Sequence, residues 1–172
     1  MANQVIAADT SPGSSLLDRR ELGVPVAILS LGAAAIHFAV MPEHVTEWWA
    51  LGLFFAALGW FQAFWPIGYL TKPSARLAWL AIVINLATVF VWAWTRTLGL
   101  PFGPDPDVPE TIGVADVLAT AFEMLLVIGL LASRRLPAPE SPDRRWSRWP
   151  TTLAVAALVA VVTSVAIAVG GG

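Results

Sequence analysis

Two histidines, His37 and His44, stand in the stretch AIHFAVMPEHVTEWW (residues 35–49), together with Glu43 and Glu47. Further along the chain come Asn85, Arg96, Asp116, Thr120 and Glu123, each inside or beside a strongly apolar run. Imidazole and carboxylate are good ligands for zinc, copper or iron. His37, His44 and Glu47 are therefore candidates to hold a transition metal, with Asp116 or Glu123 as a fourth ligand. The same groups can carry protons. A plainer assignment stands beside each of these. The His37 ring can hydrogen-bond a neighbouring helix, and His44 and Glu47 can be solvated turn residues. Arg96 can pair with Asp116, Glu47 or a lipid headgroup, or bind an anionic ligand. The chain contains no H-E-x-x-H and no glycine-rich phosphate loop. The absence of cysteine excludes thiolate metal sites, iron–sulfur clusters and cysteine nucleophiles.

The elements that must position these residues are apolar. Of 172 residues, 57% are hydrophobic and 13% charged, against about 25% charged in an ordinary soluble domain. That deficit places the chain in the membrane class, with the lipid bilayer as its first partner. A net charge of −2 supplies no basic surface for nucleic acid. Residues 1–21 are polar and read as a disordered tail, without a signal-peptide core. Apolar runs follow at about residues 22–41, 45–70, 75–98, 113–132 and 151–169, each near the roughly 20 residues that a spanning helix needs. Backbone groups in hydrocarbon must be paired within the segment, so the spans are helices. The expected fold is an all-α membrane bundle: a four-helix core over 22–132, a basic linker over 133–150, and a fifth transmembrane helix within 151–172.

Arginine and lysine set the expected orientation. Arg19, Arg20, Lys72, Arg76, Arg134, Arg135, Arg144, Arg145 and Arg148 fall on one side, and Arg96 alone on the other. The positive-inside rule puts the amino terminus in the cytoplasm of a cell-membrane protein, and five spans put the carboxyl terminus outside. The turn carrying the histidines and the acidic loop with Asp105, Asp107 and Glu110 then face outward. Trp48, Trp49, Trp92 and Trp94 fall at the outer interface, as interfacial tryptophans do.

Helical spacing collects the polar groups onto faces. Ser30, Ala33, Ala34 and His37 share one face of the first span, and small residues there allow close helix approach. Gly52, Ala56, Gly59 and Ala63 form a similar seam on the second, with Gln62 beside it. Asn85, Thr88, Trp92 and Arg96 align on the third, and Gly113, Asp116, Thr120 and Glu123 on the fourth. At 1.5 Å per residue, Asn85 and Glu123 both lie roughly 15 Å deep, close enough in level to hydrogen-bond. A carboxyl group at that depth costs roughly 2.5–3.5 kcal/mol on insertion scales and must be paired, solvated in a cavity, or protonated. Pro42 suits the first turn of the second helix, since its missing N–H is no loss there.

The series IHFAVMPEH, EWW, GLFF, Asn85, RTLGLPFGP and then GVAD with Glu123 resembles a group of small multi-pass membrane proteins of high-GC Gram-positive bacteria, over about residues 30–130. The resemblance implies that the first four spans form a unit, with the fifth attached. It implies no chemistry, because no established activity accompanies that group. The expected function is therefore a binding or accessory membrane protein with a polar pocket open to the outer side. It would act alone, as a homo-oligomer or within a larger membrane complex. A metal- or proton-dependent membrane enzyme or redox protein and a cation- or proton-coupled transporter are the competing assignments.

Overall fold

The structure is a computed structural model that describes residues 19–135 and, beyond them, Ala156, Val159, Ala160, Thr163 and Ser164. Four helices make up the continuous part: α1 (Arg19–Glu47), α2 (Trp49–Thr71), α3 (Ala75–Thr97) and α4 (Val114–Arg135). All four are long and apolar enough to cross a membrane, so the chain is a multi-pass membrane protein. Helix α1 begins inside the stretch expected to be a tail, and α4 runs three residues into the expected linker. The stretch expected to form a fifth span lies mostly outside the described residues. Within it, Val159 is buried beside Ala33, Ile36 and Phe122.

The break between the first two helices is not at Pro42. Helix α1 runs through Pro42 to Glu47, and its last turn closes with Trp48 N–H donating to the His44 carbonyl at 2.9 Å. A proline removes one hydrogen bond inside a helix, but the turns on either side continue here. Trp48 makes the break, with an extended backbone (φ −160°, ψ 120°), and α2 starts at the next residue. This one-residue link folds α2 back along α1. Gly52 lies against Val45, Gly59 against the Phe38 ring, and Gly23 near Leu70, which is an antiparallel register.

Small residues set the other close approaches. Gly32 meets Phe122, and Gly129 meets Val26, so α1 and α4 also run antiparallel. Helix α1 thus packs against both α2 and α4, α4 packs against α3, and α2 and α3 touch only briefly. One half of the bundle, toward the amino terminus of α1, is filled by Val26, Trp65, Tyr69, Ile82, Leu126 and Leu130. The Trp65 and Tyr69 rings stack at 4.9 Å, and the Trp65 indole N–H donates to the Leu77 carbonyl at 2.9 Å. The outward faces are apolar, with Leu53, Phe64, Val83, Phe90 and Ile128 all exposed. Trp60 is on that outer surface, whereas Trp65 is buried.

A Cβ at Gly52 would sit 2.1 Å from Val45 Cγ2 and 2.9 Å from its Cα, whereas one at Gly68 would find its nearest neighbour at 3.8 Å. Gly52→Ala must push α1 and α2 apart at their link, and we expect a loss of about 1–3 kcal/mol. Gly68→Ala should be neutral or slightly stabilising, because alanine is the better helix former. Thermal unfolding of the two variants in one detergent checks the difference.

Candidate functional site

All four helices contribute to one polar cluster halfway along the bundle. Gln62 on α2 is fully buried, and Asn85, Glu123 and Ser30 are each 1% exposed. The Gln62 side-chain amide donates to Asn85 Oδ1 at 3.1 Å and to Glu123 Oε1 at 2.9 Å. Its backbone carbonyl accepts from Ser30 Oγ at 2.8 Å. The neighbours determine which way the carboxamide points. Asn85 Nδ2 is committed to the Ala81 carbonyl at 2.8 Å, so Asn85 presents its oxygen. A carboxylate only accepts. The direct Asn85–Glu123 bond that their equal depth allows is therefore replaced by a bridge through Gln62.

His37, 4% exposed, completes the cluster from α1, with Nε2 3.1 Å from Glu123 Oε1. With Glu123 as the carboxylate, Nε2 carries the proton. The other ring nitrogen, Nδ1, is buried without a partner, as is Gln62 Oε1.

Above this cluster lies a cavity of about 320 Å³, at the lower end of the range of about 300–1,000 Å³ found for small-molecule sites. His37 and Glu123 form its floor. Its walls are mainly apolar side chains such as Ile36, Leu51, Phe55 and Val91, with Thr88 and Thr120 as polar patches. Arg96, Asp116 and Glu110 stand at the far end. There Arg96 Nη2 donates to Asp116 Oδ2 at 2.7 Å, and Nη1 donates to Glu110 Oε2. Asp116 also accepts from Gly113 N–H at 3.0 Å, where α4 begins.

These contacts hold residues 98–113 over the cavity as a roof. Glu110 N–H donates to the Thr95 carbonyl at 3.0 Å, and Asp107 N–H to the Leu100 carbonyl at 2.7 Å. Gly99 adopts φ +74°, and a Cβ on it would lie 2.6 Å from the backbone of Asp107 and Val108. Only glycine permits that approach. Phe102 lines the cavity and meets Trp48 at 5.8 Å between centroids.

The residues expected to act together are thus divided. His37, Arg96, Asp116, Thr120 and Glu123 all line the cavity, and Asn85 supports its floor. His44 lines it as well, but its Nδ1 is held by Glu47 Oε2 at 2.9 Å in an exposed pair. The Phe55 ring packs against both imidazoles, stacked on His44 at 4.3 Å and tilted against His37 at 5.5 Å. Among the described residues no group of three His, Asp or Glu side chains is placed to hold a metal ion. His37, His44 and Glu47 are therefore not brought together as one ligand set. Arg96 takes Asp116 and Glu110, not Glu47.

Gln62, Glu110 and Trp92 join the site without having been among the residues expected there. Gln62 gave the strongest available signal, since an amide in the middle of an apolar helix must find a partner. Position along the span puts Trp92 at the interface. Its ring lines the cavity, and its indole N–H is buried without a partner.

Gln62→Met keeps the volume and removes the donor shared by Asn85 and Glu123, so it should cost about 1–3 kcal/mol. Paired with Glu123→Leu, the two losses should fall well short of additive, because each already breaks the same contact; a thermal double-mutant cycle reads this. Arg96→Gln frees Glu110 and Asp116, and it should speed proteolysis and amide exchange across residues 98–113 while leaving α1 and α2 protected.

Compared with known proteins, the chain matches no family model, no curated protein and no solved structure.

Proposed function

We propose that this is an integral membrane binding protein whose cavity holds a small, mostly apolar molecule. The observation that carries this reading is the cavity itself. It is bounded by all four helices, is walled chiefly by carbon, and ends on a buried His37–Glu123 pair at hydrogen-bonding distance. An apolar volume of this kind with a few convergent polar groups is the usual form of a small-molecule site. The roof and the α1–α2 link lie on the extracytoplasmic side, by the distribution of arginine and lysine. The protein belongs to the cell membrane in this reading, and a larger complex would be assembled through its apolar outer faces.

The packing favours binding over conduction. Inward of Glu123 the bundle is closed by Trp65, Ile82, Leu126 and Leu130, so the polar groups form a floor and not a continuous path. Enzymatic use of His37 is a weaker second reading. It is supported by the carboxylate on one ring nitrogen and the unpartnered nitrogen on the other, the arrangement in which a carboxylate orients an imidazole for proton transfer.

Thr120 lies on the cavity wall one turn from Glu123. Thr120→Phe should fill the space without disturbing the Gln62–Glu123 contact. Native mass spectrometry of the protein released from detergent is expected to show a bound small molecule on the wild type and none on Thr120→Phe. Equal occupancy of the two, with both folded, would refute the assignment of the cavity as the site.

A further inference from the structure

We infer that the occupant is an uncharged, membrane-dissolved molecule bearing a hydrogen-bond-accepting oxygen, and that it reaches the cavity sideways, between α2 and α3. This inference rests on the cavity being a binding site. It adds the ligand's chemical class and its route.

The route follows from how the walls are joined. The loop end is roofed by residues 98–113, held by Arg96 through Glu110 and by the Trp48–Phe102 contact. On the flank, Leu51 and Phe54 of α2 and Val91 and Trp92 of α3 all line the cavity, yet α2 and α3 touch only briefly. The hydrogen bonds that join them, Gln62–Asn85 and Trp65–Leu77, lie at the cavity floor or below it. Phe54 and Val91 are 37% and 36% exposed and sit beside Leu53 and Phe90, which are outside the cavity and strongly exposed, so this flank borders the outer apolar surface. The weak seam thus faces hydrocarbon, while the end facing water is pinned shut.

The chemistry follows from what is left unpaired. Trp92 Nε1 and Arg96 Nε are buried without partners. They lie four residues apart on one helix, hence on one face, and both residues line the cavity. The Arg96 side chain is only 9% exposed. Indole and guanidinium N–H groups are donors only, so what they lack is an acceptor. Charge narrows the choice further. Arg96 is already matched by both Glu110 and Asp116, which leaves that cluster with a surplus negative charge. An anionic headgroup would meet repulsion there. An ammonium group could pair with the carboxylates, but it carries no acceptor and would leave the Trp92 and Arg96 donors unpaired. A neutral carbonyl, ether or hydroxyl oxygen on an apolar body satisfies both conditions.

The test uses the full chain in lipid nanodiscs and three diazirine-bearing probes of equal chain length: a long-chain methyl ketone, a fatty acid and a fatty amine. The ketone is expected to label peptides from the cavity-lining halves of α2 and α3 more strongly than the charged probes. Trp92→Phe keeps the wall and removes one donor, so ketone labelling should fall by about three- to tenfold, the contribution of one neutral hydrogen bond. Thr120→Phe, or Val40→Phe if the first does not fold, should abolish it. The native chain has no cysteine, so a Leu51→Cys/Val91→Cys pair bridged by a bismaleimide can close the seam, and closing it should block labelling.

Charged probes that label the same peptides as well as the ketone, and are blocked by the filled cavity, would overturn the ligand class and leave the binding site standing. Ketone labelling unchanged by the bridged seam would overturn the route. Labelling that persists in the filled variants, or no labelling by any probe, would overturn the binding site and this inference together.

Discussion

The side-chain amide of Gln62 is the interaction on which the arrangement of the four helices depends. Between helices in lipid there is little hydrophobic driving force, since the surrounding tails are as apolar as the side chains. Close packing of small residues can hold α1 against α2 and α4, as Gly52, Gly59, Gly32 and Gly129 do, but such contacts tolerate sliding more readily than a directed hydrogen bond. Gln62 spends both amide protons on two other helices, on Asn85 of α3 and Glu123 of α4, while its backbone oxygen accepts from Ser30 of α1. A shift of one turn in any helix would break one of these bonds inside a low-dielectric interior, where an unpaired polar group is most costly.

That cluster divides the bundle into two unlike halves. Below it, Trp65, Tyr69, Leu126 and Leu130 fill the space between helices. Above it, part of the volume between the helices is left to a cavity. Arg96 makes this stable. Its guanidinium ties α3 to the start of α4 through Asp116 and to the roof through Glu110, so the upper half is braced from its end as well as by Ala33 and Ile36 packing on Ala115 and Ala119. Two polar groupings, the buried Gln62 with its partners and the part-buried Arg96 with its acids, thus act as floor and ceiling of one chamber.

Much of this was legible in the chain. Apolar runs and the need to pair every backbone group predict the four spanning helices within a few residues at most ends. The small-residue face of the first span does look inward, with Ser30, Ala33, Ala34 and His37 all buried. The polar faces of the third and fourth spans do converge. What could not be read was which groups meet. Helical periodicity orders residues along one helix, but the relative rotation and height of two helices are tertiary quantities. Hence equal depth allows a direct Asn85–Glu123 bond where Gln62 intervenes, and spacing groups His37, His44 and Glu47 although Phe55 packs against both imidazoles. Pro42 misled for a local reason. A proline marks a helix start well in an isolated sequence, but the preceding turns of α1 are supported by packing on α2, and the helix carries through.

The unequal halves also bear on what can fill the chamber. A void walled by carbon forfeits the dispersion contacts its lining atoms would make with a filled core, and α2 and α3 offer little direct packing to compensate along their shared edge. The helices could remove that cost by collapsing toward each other, but Gln62 and Asn85 hold their separation at the floor and Arg96 holds α3 to α4 at the ceiling. The chamber is therefore kept open by polar contacts above and below apolar walls, and the cheapest way to recover the lost contacts is to admit a molecule from the hydrocarbon at its flank. Such a molecule would also meet the unpartnered Trp92 and Arg96 donors. The polar contacts that fix the helices in place are thus the same ones that leave a space suited to a lipid-soluble guest.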